Sequence, residues 1–170
     1  MHVASYFLQT KLQAGLPRLF ERAHSLGLTT SLDTNYDPSE QWSGFDELLA
    51  VTNVFLPNEA EAKSLTGAES VSEAAARLGV RVGLTAIKLG AQGALGVRSA
   101  QSIQVPSIPV NVMDTVGAGD SFDAGFIYGY LQGWTLEKSL RLGTICGALS
   151  TRKPGGTDAQ PTLEEATAFL

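Results

Sequence analysis

Asp114-Thr115-Val116-Gly117-Ala118-Gly119-Asp120-Ser121-Phe122, the run D-T-V-G-A-G-D-S-F, decides how this chain is read. It follows an extended stretch, S-I-P-V-N-V-M, and opens an apolar run with helical character. Gly117, Ala118 and Gly119 have little or no side chain, so a ligand can approach the backbone closely. The first N–H groups of a helix have no internal partners and point outward. With the helix dipole they form an anion site. Asp120 falls in the first turn beside it. A carboxylate there can take a proton from a hydroxyl that attacks phosphorus. Taken locally, the same residues also suit a tight strand-to-helix turn with flanking aspartate caps.

Outward from this run, strands alternate with helices. Val3 to Leu8 reads as a buried strand. Gly15 to Leu26 places Leu16, Leu19, Phe20, Ala23 and Leu26 on one helical face, and Gly27 stops it. Leu28 to Leu32 is a second strand, entering the turn-rich D-T-N-Y-D-P of Asp33 to Pro38. A short helix spans Phe45 to Ala50. The strand Val54 to Leu56 runs into Pro57-Asn58-Glu59 and a helix that ends at Gly67. Ser72 to Leu78 is a helix with Ser72 as its expected cap, and Val82 to Lys88 is a strand. Gly90 to Val97 and Ile103 to Val110 read as hairpin and edge strands. Long helices follow over about Gly117 to Leu131 and Leu136 to Ser150, then a Gly/Pro loop, Lys153 to Pro161, and a short last helix. The pattern implies an α/β fold with a mostly parallel sheet and helices on both faces. Ligands of such sheets bind beyond the carboxyl ends of the strands, here after Leu32, Leu56, Lys88 and Met113.

Three stretches in order along the chain, N-E-A-E at Asn58 to Glu61, I-K-L-G-A-Q-G at Ile87 to Gly93, and D-T-V-G-A-G-D, resemble the motifs of the ribokinase-like (PfkB) carbohydrate kinases. Read locally, Asn58 is an ordinary helix cap, Glu61 a first-turn acid, and Lys88 either a surface lysine before a hairpin turn or a point charge in reach of a phosphate. The resemblance implies more. It implies a three-layer αβα fold, with residues 1–170 forming the C-terminal, nucleotide-binding and catalytic portion of one kinase domain. It makes Asp120 the catalytic base, which also meets the substrate, and Gly117, Ala118 and Gly119 the anion hole. Lys88, Gly90, Gly93, Thr115, Gly147 and Gly156 would bind ATP, with Ala148 beside Gly147 at the adenine. Asn58 and Glu61 would organise Mg2+ through water, and Asp114 would ligate a monovalent cation such as K+. Asp33 and Asn35, in a D-x-N segment, would face the sugar. A nucleoside or vitamin-precursor kinase of the same superfamily stays open, as does a catalytically weak nucleotide-binding module.

The 170 residues suffice for one folded core, with 44% hydrophobic and 17% charged residues. A net charge of −5 argues against a nucleic-acid or membrane-surface binder. Cys146 is the one cysteine, in an apolar stretch, so neither an intrachain disulfide nor a structural zinc site can be built. Neither G-x-G-x-x-G after the first strand nor G-x-x-x-x-G-K-[ST] occurs, which disfavours a dinucleotide oxidoreductase and a P-loop NTPase. His2, His24, Trp42 and Trp134 read as surface or packing residues. The opening lacks the pattern of a signal peptide, so a cytoplasmic setting is expected. A strand so near the first residue, and no G-G-rich sugar segment or substrate lid, lead to the expectation of a weak kinase in isolation. An open sheet edge leads to that of a homodimer.

Overall fold

The structure, a computed structural model, describes residues 1–170. Six strands form one mixed sheet in chain order: β1 (His2–Val3), β2 (Ser31–Leu32), β3 (Val54–Phe55), β4 (Leu84–Lys88), β5 (Ala94–Arg98) and β6 (Gln101–Val105). The helices are α1 (Thr10–Gln13), α2 (Leu16–Ser25), α3 (Asp46–Ala50), α4 (Glu59–Thr66), α5 (Val71–Gly79), α6 (Ala118–Leu131), α7 (Leu136–Ser150) and α8 (Leu163–Thr167). None is long and apolar enough to cross a membrane. By contact the chain divides into two compact units, Met1–Ile87 with Val97–Ser102, and Lys88–Gly96 with Ile103–Leu170.

In the first unit β1, β2, β3 and β4 pair in parallel, with His2 opposite Ser31, Ser31 opposite Val54 and Val54 opposite Leu84. Parallel strands need covering on both faces, and Leu32, Val54, Phe55, Ala86 and Ile87 are all buried. α2 starts with Pro17 in its first turn, buries Leu16, Phe20 and Ala23, and stops before Gly27 at φ 75°. Tyr6, Phe7, Phe45 and Phe55 form a chain of ring contacts, from Tyr6–Phe45 at 4.8 Å to Phe45–Phe55 at 6.3 Å between centroids. The expected strand Val3 to Leu8 is corrected: Ser5 takes a left-handed φ of 56°, and Tyr6–Leu8 is a 3-10 turn. The cap of α5 is Ser70, not Ser72. Ser70 is extended and its hydroxyl accepts the N–H of Glu73, while Ser72 lies inside the helix.

The second unit is built on α6 against α7. Glycines let the two helices approach closely. A Cβ at Gly125 would lie 2.8 Å from Cys146 Sγ and 2.9 Å from the Leu142 carbonyl oxygen, and one at Gly129 would lie 2.8 Å from Ser139 Oγ. From the other side, a Cβ at Gly143 would meet the Phe122 carbonyl at 3.0 Å, and one at Gly147 the Ala118 carbonyl at 3.0 Å. Leu142, Ile145, Leu149 and Ala166 bind α7 and α8 into one core, with Tyr128 and Trp134 against it. Two expected strands are shorter here. Gly90–Gln92 is a 3-10 turn before β5, and β6 ends at Val105 because Pro106 cannot donate to a ladder. The stretch from Ile108 to Met113 is therefore irregular, and no strand leads into Asp114.

Because the seam leaves no room for a side chain, Gly125→Leu should cost about 1–3 kcal/mol. Thermal denaturation should show a melting temperature several degrees lower, and an unchanged one would remove the seam as a determinant of the fold.

Candidate active site

Gly117, the N-cap of α6, takes a left-handed φ of 74°, which a residue with a side chain adopts only with strain. A Cβ on it would lie 2.7 Å from the Gly156 carbonyl oxygen. Gly156 is also left-handed, at φ 74°, and a Cβ there would lie 3.1 Å from the Val116 carbonyl. The 115–117 turn and the 155–156 turn thus lie against one another, with Val116 Cγ1 3.2 Å from where a Gly156 Cβ would be. The Ala118 N–H is taken by the Thr115 carbonyl at 3.2 Å, and the Gly117 carbonyl accepts the Ser121 N–H at 2.9 Å. Gly119 and Asp120 follow in the first turn of α6, where N–H groups have no helical partner, and Asp120 is exposed.

Asp114 ties these turns together. Its Oδ1 accepts the Val116 N–H at 3.0 Å, and its Oδ2 accepts the Gly155 N–H at 2.9 Å. The Thr151 carbonyl, at the end of α7, accepts the N–H groups of Met113 and Asp114 at 2.8 and 3.2 Å. The Gly155 N–H, seconded by that of Val116, holds the Asp114 carboxyl below its ordinary pKa.

Lys88 ends β4. A Cβ on Gly119 would lie 3.6 Å from Lys88 Nζ, so the ammonium sits against the backbone of the α6 turn. Nζ is 3.1 Å from Asp123 Oδ1 and 3.4 Å from Oδ2. Of the two local readings of Lys88, that of a surface lysine is corrected: the side chain is only 12% exposed and pairs with Asp123. Asp123 was not singled out from the sequence, and the available signal was an acid within the apolar run that follows Asp120. Gly90 is left-handed at φ 58° with open space where a Cβ would be. Gly93, at φ 94°, lies so close to the Val105 carbonyl that any Cβ would overlap it. Gly147 faces the Ala118 carbonyl and Phe122, and so brings α7 up to the head of α6.

The first unit holds the other candidates. Asn58 and Glu61 form a complete capping box: Asn58 Oδ1 accepts the Glu61 N–H at 2.9 Å, and Glu61 Oε2 accepts the Asn58 N–H at 2.9 Å. Asn58 Nδ2 donates to Glu61 Oε1 at 2.7 Å, and Thr34 Oγ1 donates to Oε2 at 3.3 Å. Thr34 thereby joins this pair to the segment that carries Asp33 and Asn35. Asp33 is buried, and its Oδ1 accepts the Asn35 N–H at 3.1 Å. Asn35 is exposed, left-handed at φ 56°, and donates from Nδ2 to Ser5 Oγ at 3.3 Å. No three His, Cys, Asp or Glu side chains converge on one point. One buried carboxylate beside an amide, both engaged in protein hydrogen bonds, suits magnesium that keeps its waters rather than an all-protein cage. His24 Nε2 is satisfied by Thr30 Oγ1 and Asn53 Oδ1 at 3.1 and 2.9 Å. Burial pushes the Cys146 thiol up to about 11, which makes it a poor nucleophile.

A family model described as pfkB family carbohydrate kinase matches residues 1–163. An uncharacterized sugar kinase of Archaeoglobus fulgidus is 30% identical, over 95% of this chain and 64% of its own length. A ribokinase of Haemophilus influenzae is 34% identical, over 74% of this chain and 43% of its own. The solved structure of Arabidopsis thaliana ribokinase complexed with ribose and ATP is similar with a TM-score of 0.81 at 26% identity, covering 92% of this chain and 52% of that one. The chain therefore spans 43% to 64% of the length of these two curated relatives.

The Asp114 clamp has a pH signature. Its pKa when folded is below the ordinary 3.8, so it favours folding above that pH and loses this contribution as pH falls through the lowered value. The melting-temperature gap between the protein and Asp114→Asn should be widest at neutral pH and close in acid below about pH 4. A gap that does not change with pH would mean that the carboxylate charge plays no part in the clamp.

Proposed function

The chain belongs to the pfkB family of carbohydrate kinases, and from this premise we propose that residues 1–170 form the nucleotide-binding and catalytic portion of an ATP-dependent sugar kinase. The observation that carries this is the small-residue turn Gly117-Ala118-Gly119 at the head of a 14-residue helix, with Asp120 in its first turn. Phosphoryl transfer asks for little more from the protein than positioning and charge stabilisation. Asp120 accepts the proton of the sugar hydroxyl while its oxygen bonds to the γ-phosphorus of ATP. The bond to the bridging oxygen breaks, and ADP leaves. The N–H groups at the head of α6 hold the oxygens of the transferring group where negative charge gathers.

Lys88, Gly90, Gly93, Thr115, Gly147 and Gly156 are assigned to the nucleotide. Gly90 leaves open space where a Cβ would be, and the complex of the plant ribokinase with ribose and ATP supports both substrates. Asp33 and Asn35 are assigned to the sugar. Asn58 and Glu61 would hold magnesium through its waters; when bound, the ion offsets charge on the phosphates. Asp114, which already gathers backbone N–H groups, is assigned to a monovalent cation.

Sugar-dependent release of ADP from ATP, measured across pentoses, hexoses and their 2-keto-3-deoxy acids, tests the proposal. Asp120→Asn should lower kcat by about 10²–10⁴ while leaving ATP binding intact. ATP binding by calorimetry with no turnover on any acceptor would instead favour a nucleotide-binding module without catalysis. If neither binding nor turnover is found, the assignment of the α6 turn falls.

A further inference from the structure

The buried pair of Lys88 and Asp123 has a placement that packing alone does not require. The side chains are 12% and 4% exposed. Removing two charges from water is costly, and apolar side chains of similar volume are often at least as stable in such a place. The pair is also polarised along α6. Its ammonium lies against Gly119, 3.6 Å from where a Cβ would be. No Asp123 side-chain atom comes within 4 Å of that position, so of the two charges the ammonium is the nearer to the turn. A positive charge under the first turn adds to the partial positive charge of the helix head, and at this burial solvent ions screen it little.

Lysine is a point charge on a flexible four-carbon stem. Left to itself it would spread over many rotamers. Asp123 is one of the groups that restrict it, with both carboxylate oxygens within reach of Nζ. Because Asp123 belongs to α6, the restraint ties the ammonium to the same helix whose head meets the phosphoryl group.

We infer that Lys88 and Asp123 are a positioning pair for the anion turn. Asp123 holds the Lys88 ammonium beneath Gly119, and from there the ammonium, already assigned to the nucleotide, strengthens the hold of the α6 head on a phosphoryl anion. This deepens the proposed function and rests on it for the kinetic consequence, but not for anion binding.

Two neutral pairs separate charge from packing: Lys88→Gln/Asp123→Asn, which keeps shape and a hydrogen bond, and Lys88→Met/Asp123→Leu, which replaces the pair by apolar packing. The full chain is compared by melting temperature, by calorimetry with ATP and with inorganic tripolyphosphate, and by steady-state kinetics. At least one neutral pair should melt near the unsubstituted protein yet bind tripolyphosphate about tenfold more weakly or worse. In turnover, kcat should fall while KM for the sugar stays, and the charge-keeping Asp123→Glu should stay close to the unsubstituted protein in both. Equal tripolyphosphate affinity in the unsubstituted protein and a well-folded neutral pair overturns the inference, as does no binding by the unsubstituted protein. Weakened binding in the neutral pair without turnover by any variant would remove catalysis by this chain alone and leave this inference standing.

Discussion

The left-handed turn at Gly117 is the constraint on which the rest of the second unit depends. It lets the chain enter α6 without a side chain, and it faces the Gly156 carbonyl at a distance that excludes even a methyl group. That contact exists only if the 155–156 turn is delivered to it, and the delivery can be followed bond by bond. The glycine seam sets α7 against α6, with Gly147 against the Ala118 carbonyl. Thr151, just past the end of α7, accepts the N–H groups of Met113 and Asp114. Asp114 then reaches across to the Gly155 N–H. Helix packing, a C-terminal carbonyl and one carboxylate thus define the geometry of a turn whose own residues have almost no side chains with which to define it.

The electrostatics follow from the same placement. The whole chain is acidic, at −5, which taken alone would repel a polyphosphate. Locally a helix head and the Lys88 ammonium lie together at the Gly119 backbone, and Asp123 pairs with that ammonium at 3.1 Å. Asp120 stays exposed one residue beyond. Under the proposed function a base next to an anion turn has to be reachable by a hydroxyl, and an acid that orients a lysine does not. The two aspartates, three residues apart on one helix, are sorted into these environments by which face of α6 each occupies.

The parts of this arrangement legible in the sequence are those written in local code. α2, α4, α6 and α7 were readable because apolar spacing and glycine stops act over a few residues. The Asn58–Glu61 cap and the small-residue turn before Asp120 were readable for the same reason. The strand limits were not. Val3 to Leu8 has strand composition, but Ser5 turns left-handed and the next residues coil into a 3-10 turn whose rings pack on Phe45. Ile103 to Val110 reads as one extended run until Pro106 and Pro109 are weighed against the need for a ladder. Asp123 was invisible because its partner lies 35 residues away, a separation that no helical or strand period reports.

Asn58 and Glu61 illustrate why a local reading and a functional one need not compete. As a capping box they satisfy the N–H groups that begin α4, and that alone would justify both residues. The same hydrogen bonds, with Thr34 added, fix the direction of the Glu61 carboxylate and leave it buried. A carboxylate held in this way loses little further freedom on meeting a hydrated cation, so the cost of ordering it is met by folding rather than by binding. Under the proposed function the helix start therefore preorganises the outer shell of the ion. Thr34 extends the same restraint to the Asp33–Asn35 segment, so one small hydrogen-bonded network orders the residues assigned to magnesium together with the segment assigned to the sugar.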